Sequence, residues 1–371
     1  KGPTGRNAVG CGLFSGGELD IQEAIRKVVD GRHLTGAEAE SVMDQIMSGK
    51  ATDAQIASFL TALRMKSETV EELIGFARVI RGKASPVRPG ARVAAAFSGT
   101  DREMLVDTCG TGGDAAGTFN ISTATAFVVA GAGIRVAKHG NRSVSSLCGS
   151  ADVVEALGVK IDIGPEDVAR CIDEVGIGFL YAPLLHSAMR YVMLARREMR
   201  IRTVFNLLGP LCNPAGAEAQ VLGVYHEKLT EMMAAVLCEL GTRRAFVVHG
   251  SDGLDEITIG AETKVSEVRD AQVRTFYLTP EDFGIERAPI SAIQGGDARR
   301  NAEIIRGILT GEGGVREDVV LLNAAAGLVA GGKADSLREG VALAREAIRS
   351  GEAMSRLDRL VALTHKLSPS G

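Results

Sequence analysis

Three short clusters of glycine and polar residues each follow an apolar segment of the chain. The first, Asp107–Asp114 (DTCGTGGD), precedes an apolar helical segment, so its backbone N–H groups and the helix N-terminus can form an anion-binding loop. The loop lacks the Gly-Lys-Ser/Thr ending of a Walker A motif and the ribose-reading acid of a dinucleotide fingerprint. It predicts phosphate binding, and a plain tight turn is the alternative.

The second cluster, Lys138–Ser146 (KHGNRSVSS), holds two cations, an amide and three hydroxyl groups within nine residues. It follows a predicted strand, and ligands of open α/β sheets bind at the carboxyl ends of strands. Lysine and arginine supply charge there, while serine hydroxyls orient phosphate oxygens. Phosphate is the expected ligand, with a solvated polar loop as the alternative. Gly149–Asp152 then opens another helix, whose N-terminus is a further anion site.

The third cluster is His249–Glu256 (HGSDGLDE), again after a predicted strand. Its adjacent carboxylates, Asp255 and Glu256, suit Mg²⁺, a hard cation that takes one or two carboxylates together with ligand phosphates. Such a pair in a turn is often only solvated surface, and the two phosphate-type loops before it favour the metal interpretation.

A fourth stretch runs from Tyr181 to Arg190 and on to Arg196. His186 and Arg196 are predicted near the front of one helical pattern, about 15 Å apart along its axis and roughly on one side. Arg196 could form a bidentate contact with a carboxylate. The alternatives are a packing histidine and a surface arginine. Together the four stretches predict a Mg²⁺-dependent enzyme that acts on a polyphosphorylated small molecule.

The elements that position these residues fall into two groups, the first of them helical. Thr35, Thr52 and Thr69 are each followed three residues later by Glu or Gln, which is the capping-box pattern of a helix start. Apolar residues recur at helical spacing after each box. Residues 19–84 therefore predict a helical domain of about four helices, and residues 1–18, rich in glycine, a flexible tail.

The second group begins after an aperiodic connection over residues 84–103. Short apolar segments then alternate with helical patterns, which predicts an α/β domain over residues 85–371 with a mostly parallel central sheet. The expected strands are Met104–Asp107, Ile134–Ala137, Ile177–Tyr181, Val221–Tyr225 and Ala245–Val248, and the expected helices include Pro165–Val175, Lys228–Leu240, Leu321–Val329 and Ser336–Ile348.

Composition narrows the class of protein further. The 42 Lys and Arg against 46 Asp and Glu give a net charge of −4, whereas broad nucleic-acid or membrane binding needs a basic excess. The six cysteines form no CxxC pair, so we expect reduced thiols in the cytoplasm. No apolar stretch reaches the roughly 18 residues of a membrane span, and the first residues do not form a signal peptide.

The ordered motifs together resemble the anthranilate phosphoribosyltransferase family, and the similarity runs over residues 20–368. That family is a pentosyltransferase family that moves the phosphoribosyl group of phosphoribosyl pyrophosphate (PRPP) to the amine of anthranilate, in the second step of tryptophan biosynthesis from chorismate. The resemblance implies the same activity and a small N-terminal all-helical domain hinged to a large α/β domain. The motifs are GTGGD (Gly110–Asp114), NIST (Asn120–Thr123), KHGNRSVSS (Lys138–Ser146), GSAD (Gly149–Asp152), NLLGPLCNPA (Asn206–Ala215) and DGLDE (Asp252–Glu256).

The resemblance also implies a role for each matching residue. Anthranilate is expected to contact Gly110, His139, Asn141, Pro183, His186 and Arg196, with its carboxylate on Arg196. The metal ligands, for about two Mg²⁺ per subunit, are expected to be Ser122, Asp255 and Glu256. PRPP is expected to contact Gly110, Gly113, Asp114, Thr118, Asn120, Ile121, Ser122, Thr123, Lys138, His139, Gly140, Asn141, Arg142, Ser143, Val144, Ser145, Ser146 and Ser150.

Partners follow from the same resemblance. The family pairs through its helical domain, so a homodimer is implied, with helices from about residue 186 to residue 203 joining that domain. The glutaminase subunit of anthranilate synthase is a further implied partner. Ser187 follows His186 where the family usually has proline, which could loosen the loop through which anthranilate approaches. The chain also has additional N-terminal residues and a longer connection at 86–101.

Two alternatives share this architecture. A pyrimidine-nucleoside phosphorylase would use phosphate and a nucleoside, but phosphorolysis needs no metal on a pyrophosphate group, so KHGN and the Asp255–Glu256 pair favour the transferase. A nucleic-acid-binding relative of the same fold would need a basic surface, which the net charge of −4 opposes.

Overall fold

The computed structural model describes residues 19–90, 104–114, 116–143 and 147–367. Helices come first and an α/β domain follows, which confirms the predicted fold class. The predicted tail and most of the connection lie outside the described residues. The helices are α1 (Ile21–Val29), α2 (Gly36–Met47), α3 (Asp53–Lys66), α4 (Val70–Lys83), α5 (Ile121–Gly131), α6 (Ser150–Ala156), α7 (Pro165–Val175), α8 (Ala182–Leu185), α9 (Arg190–Met199), α10 (Phe205–Leu211), α11 (Leu229–Glu239), α12 (Ala298–Leu309), α13 (Val315–Ala330), α14 (Leu337–Arg349) and α15 (Glu352–Leu367).

The N-terminal helices start where their caps predict. Thr35, Thr52 and Thr69 each accept a hydrogen bond from the backbone N–H three residues later, and all three capping boxes are complete. The apolar faces of the four helices meet in one core, in which the rings of Phe59 and Phe76 pack edge to face at 6.1 Å. Reciprocal satisfaction of the first-turn N–H groups thus sets the helix boundaries.

The core of these helices continues into later parts of the chain. Helix α9 packs on α2 and α3, and α10 and α11 pack on α4. Val192, Phe205 and Met233 belong to the same buried apolar cluster as the N-terminal helices. The segment over residues 190–211 therefore connects the helical layer to the α/β layer.

The central sheet has seven strands in the order β3-β2-β1-β4-β5-β6-β7. The first five strands in this order are parallel to one another, and β6 pairs antiparallel with both β5 and β7. Strand order reverses on either side of β1, and the crevice at such a point is where open α/β sheets bind ligands. The strands are β1 (Val106–Gly110), β2 (Val136–Gly140), β3 (Ile177–Tyr181), β4 (Ala219–Gly223), β5 (Arg244–Gly250), β6 (Thr263–Arg269) and β7 (Gln272–Leu278).

Boundaries agree best where the apolar pattern is complete. Strand β3 and helix α7 have the predicted ends, whereas β1 and β2 each begin two residues later and end three residues later than predicted. They end later because the first polar residues of both phosphate-type clusters still belong to the strands. Helix α13 begins at Val315 rather than near Leu321, and α14 begins one residue after the predicted Ser336.

The β6–β7 hairpin is the part of the sheet that the sequence analysis misses. Its strands carry charged residues at several positions, which hides the alternation of buried residues. The two-residue turn between them is Asp270-Ala271, with φ of +53° and +57°. Both residues are left-handed, as in type I′ hairpins, but neither is the glycine that usually marks such a turn.

Two glycines of α4 offer a matched test of helix packing. An ideal Cβ on Gly75 would lie 2.6 Å from the Gly36 carbonyl oxygen, whereas a Cβ on Gly82 meets nothing within 4 Å. We expect Gly75→Ala to lower the free energy of unfolding by about 1–3 kcal/mol through overpacking. Gly82→Ala should raise it by up to about 1 kcal/mol, because alanine has the higher helix propensity. Urea denaturation measures both, and equal effects would contradict the packing argument.

Candidate functional site

The glycine loop after β1 lies directly against the acidic segment after β5. The backbone N–H of Gly112 donates to Asp255 Oδ2 at 3.0 Å. An ideal Cβ on Gly110 would lie 2.9 Å from the same carboxylate oxygen, and one on Gly223 would lie 1.6 Å from the Asp255 carbonyl oxygen. Glycine at both strand ends is therefore what lets Asp255 reach the loop.

Three carboxyl groups meet at this edge of the sheet. Burial, then the charge and hydrogen bond of Asp114, raise the pKa of Asp255 to about 7. Burial, and next the charge of Asp255, raise the pKa of Glu256 well above its usual range, while the charge of Lys138 and the Ser122 backbone N–H act in the opposite direction. Asp114, expected only as a PRPP contact, thus belongs to the same carboxyl cluster as the predicted metal ligands.

These groups fit a hard divalent cation. Buried carboxyl groups that repel each other gain from a nearby positive charge, because the cation favours their ionised forms. The Ser122 hydroxyl, at the start of α5, accepts a 3.4 Å hydrogen bond from the Lys138 ammonium. No group of three or more His, Cys, Asp or Glu in metal-holding geometry occurs among the described residues. An oxygen set of this size is typical of Mg²⁺ bound partly through ligand phosphates.

Lys138 lies beneath this cluster, with 3% of its surface exposed. Its ammonium also donates to the Thr108 carbonyl. The neighbouring helix α5 points its positive N-terminal end at the same edge, where an anion is stabilised. The predicted NIST residues are therefore placed at a helix start beside a buried cation.

Asn120 and Thr123, two of the NIST residues, differ in their hydrogen bonding. The Asn120 side chain donates to the Cys148 carbonyl at 3.3 Å and accepts from Asn301 at 3.0 Å, so it braces the loop. The Thr123 hydroxyl is buried and has no hydrogen-bond partner within the part of the chain that the structure describes. Thr118 forms an isolated bridge with Gln294.

The loop after β2 is held by its own polar groups. The Asn141 N–H donates to Ser150 Oγ at 3.2 Å, and the Ala151 N–H donates to the Asn141 carbonyl at 3.1 Å. Gly140 is in close contact with Ser150, where an added Cβ would lie 2.3 Å from the hydroxyl oxygen. Val144, Ser145 and Ser146 lie outside the described residues.

Arg142 is already paired in the structure. Its guanidinium contacts Asp152 at 2.9 Å and Glu155 at 2.6 Å, and it donates to the Tyr181 hydroxyl at 3.2 Å. Hydrogen bonds with the two carboxylates raise its pKa. The Asp152 carboxylate also accepts from the Ser143 and Gly149 N–H groups. Asp152, the last residue of the GSAD motif, and Glu155, which no motif contains, therefore brace the loop through Arg142.

His139 and His186 form a buried pair. Their Nε2 atoms are 3.2 Å apart and their rings are tilted by 50°. Burial lowers the pKa of His139 to about 3, with further lowering by His186 and Lys138, and burial lowers the pKa of His186 to about 4. Both rings are therefore neutral near pH 7, and the predicted approach to the acceptor is lined by uncharged imidazoles.

The prediction that His186 and Arg196 share one helix is wrong. His186 follows α8, a 3-10 turn at Ser187–Met189 comes next, and α9 begins only at Arg190. Pro183, in the first turn of α8, starts a helix that ends after four residues. Ser187 is exposed in the 3-10 turn.

Arg196 lies on α9, half-buried, with its guanidinium 5.3 Å from the centre of the Phe205 ring. Burial lowers its pKa. No side-chain hydrogen bond or ion pair joins it to another predicted site residue in the described ranges. A partly desolvated guanidinium without a carboxylate partner is suited to binding an anionic ligand group.

The sequence analysis also misses a cation beside the glycine loop. The Arg202 guanidinium donates to the Gly113 carbonyl and lies 4.6 Å from the centre of the Tyr225 ring. The only signal for Arg202 in the sequence is its place four residues before the start of the NLLGPLCNPA motif. Arg202 ties the segment between the helical and α/β layers to the predicted phosphate loop.

Comparison with known proteins gives consistent matches. Residues 102–354 match the model described as glycosyl transferase family, a/b domain, and residues 22–84 match the helical bundle domain of the same family. The anthranilate phosphoribosyltransferase of Geobacter sulfurreducens is 57% identical over 349 residues, which are 93% of this chain and 100% of the relative. That of Pelotomaculum thermopropionicum is 58% identical over 348 residues, covering 94% of this chain and 98% of the relative.

Solved structures agree with these matches. The anthranilate phosphoribosyltransferase of Thermus thermophilus has a TM-score of 0.84 and 45% identity, covering 92% of this chain and 99% of its own. The Saccharomyces cerevisiae enzyme in complex with PRPP and Mg has a TM-score of 0.82 and 27% identity, with 94% and 98% covered. A further yeast structure contains 4-fluoroanthranilate.

The raised pKa of Asp255 makes a prediction about metal binding. In the folded protein the carboxyl is largely protonated at about pH 6 and ionised at about pH 8, so only at the higher pH does a cation relieve carboxylate repulsion. We expect Mg²⁺ to raise Tm more at about pH 8 than at about pH 6.

Without metal, the contribution of Asp255 to folding stability changes with pH in the opposite direction. Its pKa is higher in the folded protein than in the unfolded chain, so its contribution to stability falls as the pH rises from about 4 to about 7 and then stays level. Thermal melts in EDTA and in Mg²⁺ test both statements, with Asp255→Asn as the control that removes the titrating group. An equal Mg²⁺ shift at both pH values would contradict the assignment.

Proposed function

This chain belongs to the anthranilate phosphoribosyltransferase family, and we propose that it transfers the phosphoribosyl group of PRPP to the amine of anthranilate, giving N-(5-phosphoribosyl)anthranilate and pyrophosphate. The observation that carries the proposal is high identity to enzymes of this name along nearly the whole chain. The cluster of carboxylates, lysine and glycine loop at one sheet edge supports a polyphosphorylated donor. The reaction is a pentosyltransferase step of tryptophan biosynthesis.

We assign PRPP to the edge formed by the glycine loop, the start of α5 and the loop after β2. The buried Lys138 ammonium and the α5 N-terminus favour a polyanion there. Arg142 retains its predicted role only if the ligand competes with Asp152 and Glu155, since both acids now hold its guanidinium. Its proposed contribution is therefore to brace the loop as well as to supply charge.

The metal is assigned to Asp255 and Glu256, with the Ser122 hydroxyl beside them. The number of about two Mg²⁺ per subunit is proposed from the family resemblance, and the charge of Asp114 beside Asp255 adds to the demand of this cluster for cations. Bound Mg²⁺ neutralises the charge that develops on the departing pyrophosphate.

The acceptor is assigned to Arg196, Asn141 and the neutral pair His139–His186. Arg196 lacks a carboxylate partner among the described residues, so its guanidinium is available to form an ion pair with the anthranilate carboxylate. The uncharged imidazoles offer a surface for an aromatic ring. Pro183, exposed at the start of α8, and Gly110 complete the proposed contacts.

The chemistry follows from charge and position. The bond between the anomeric carbon and pyrophosphate breaks, which leaves an oxocarbenium-like ribose, while the amine lone pair forms the C–N bond on the opposite face with inversion. Lys138 and the loop N–H groups stabilise the leaving charge. The aryl amine is a neutral nucleophile, so no strong base is required, and its proton passes to solvent. Positioning supplies most of the rate.

Assembly and location are part of the same proposal. A homodimer formed through the N-terminal helices is proposed from the family resemblance. Cys109, Cys171, Cys212 and Cys238 are free thiols, which supports a reducing compartment such as the cytoplasm. No helix in the described ranges is long and apolar enough to cross a membrane. An association with the glutaminase subunit of anthranilate synthase rests on the family resemblance alone.

The direct test follows anthranilate fluorescence after the protein is mixed with PRPP, Mg²⁺ and anthranilate. We expect a loss of fluorescence that depends on both PRPP and Mg²⁺, and the double variant Asp255→Ala with Glu256→Ala should lose most turnover while remaining folded. Phosphate with a pyrimidine nucleoside replaces the substrates in a parallel reaction. Product in that reaction alone would replace the transferase by the phosphorylase.

Arg196 and its neighbour Arg197 form a matched pair for the acceptor site, because Arg197 is exposed on the same helix. We expect Arg196→Ala to raise the KM for anthranilate by about tenfold or more, with a smaller effect on the KM for PRPP, because one charge-assisted contact is lost. Arg197→Ala should leave both constants within about twofold. Equal changes for both substrates would remove Arg196 from the anthranilate site.

A further inference from the structure

Strands β1 and β2 separate as they approach the site. They pair at a single register position, Val106 with Val136, whereas β1 pairs with β4 at five positions and β2 pairs with β3 at five. The backbone groups of β1 and β2 that face each other past this pair cannot satisfy one another. Buried backbone groups need partners, so something else must fill the gap.

Two side chains fill the gap on the β2 side. Asp107 is fully buried, and its Oδ1 accepts from the His139 backbone N–H at 3.1 Å. The Asn213 amide donates to Asp107 Oδ2 at 2.8 Å and to the Ala137 carbonyl at 2.9 Å. Asp107 and Asn213 thus replace the missing ladder bonds of residues 137 and 139.

The residue between these positions, Lys138, spans the gap from the other direction. Its ammonium donates to the Thr108 carbonyl of β1. Burial raises the pKa of Asp107, and the charge of Lys138 partly offsets that effect, so the two charges lie close enough to interact. Asn213 is itself held in place, because its side-chain oxygen accepts from the Ala215 N–H at 2.9 Å.

We propose that Asp107 and Asn213 are positioning residues. They hold β1 and β2 apart and thereby fix the positions of the Lys138 ammonium and the His139 ring. Neither residue is assigned a substrate contact. The inference rests on the proposed function, in which Lys138 binds PRPP and His139 borders the acceptor. It assigns a role to Asn213, the second Asn of the NLLGPLCNPA motif, which contacts neither proposed substrate.

The test is Asp107→Asn, which keeps the side-chain shape but turns one accepting oxygen into a donor that faces the Asn213 amide. We expect the Kd for PRPP, measured by calorimetry with Mg²⁺ and without anthranilate, to rise by about tenfold or more, and kcat/KM for PRPP to fall by a similar factor. Exchange of the pair, Asp107→Asn with Asn213→Asp, restores a donor facing an acceptor but not the bond to the Ala137 carbonyl. The exchange should recover part of the loss.

The matched control is Glu72→Gln in the N-terminal helices. Glu72 is also fully buried, pairs with Lys66 at 2.9 Å and accepts a backbone N–H, that of Leu34, at 2.9 Å. We expect both single variants to lower Tm, but only Asp107→Asn to change PRPP binding, with Glu72→Gln within about twofold of the unsubstituted protein. Kinetic and binding constants unchanged in Asp107→Asn would overturn the proposal.

If Asp107→Asn does not fold, Asn213→Ser decides between the two outcomes in the same way: weakened PRPP binding supports positioning, and unchanged binding overturns it. The unsubstituted protein separates this test from that of the proposed function. Binding of PRPP without turnover of anthranilate would refute the acceptor but leave the positioning test intact. No binding of PRPP at all would refute both.

Discussion

Repulsion among three carboxyl groups, those of the buried Glu256 and the half-buried Asp114 and Asp255, is the constraint on which the site depends. Asp114, Asp255 and Glu256 converge at the carboxyl edge of the sheet, and burial together with their mutual charge raises the pKa of the latter two. Lys138 supplies an opposing charge from within the sheet. Holding these carboxylates together in ionised form costs free energy unless cations bind between them. The edge is therefore suited to a polyphosphate ligand that carries metal ions.

The sheet meets this constraint through backbone geometry. Glycines at the ends of β1 and β4 let the Asp255 segment approach within contact distance of the loop. On the other side of β1 the ladder opens, and Asp107, Lys138 and Asn213 take over its hydrogen bonds. Close approach on one side of the strand and separation on the other together make room for a ligand above its end.

The helical layer contacts this edge through the segment over residues 190–211. Its helices share a core with α2, α3 and α4, and Arg202 donates to the Gly113 carbonyl. The same segment therefore contacts both the core of the N-terminal helices and the phosphate loop. Arg196 lies on the same segment, so both proposed substrates depend on where this segment stands.

The capped helices, the α/β class, the clusters at strand ends and the family can all be predicted from the sequence, because capping, periodicity and motif spacing are local properties of the chain. The sequence did not reveal the β6–β7 hairpin, whose turn lacks glycine, or the break that separates His186 from α9. Three sets of contacts are visible only in the folded chain: Asp114 with Asp255, Arg142 with Asp152 and Glu155, and Asp107 with Asn213. These contacts join residues up to about 140 positions apart, and loop closure of that length leaves no periodic trace in a sequence.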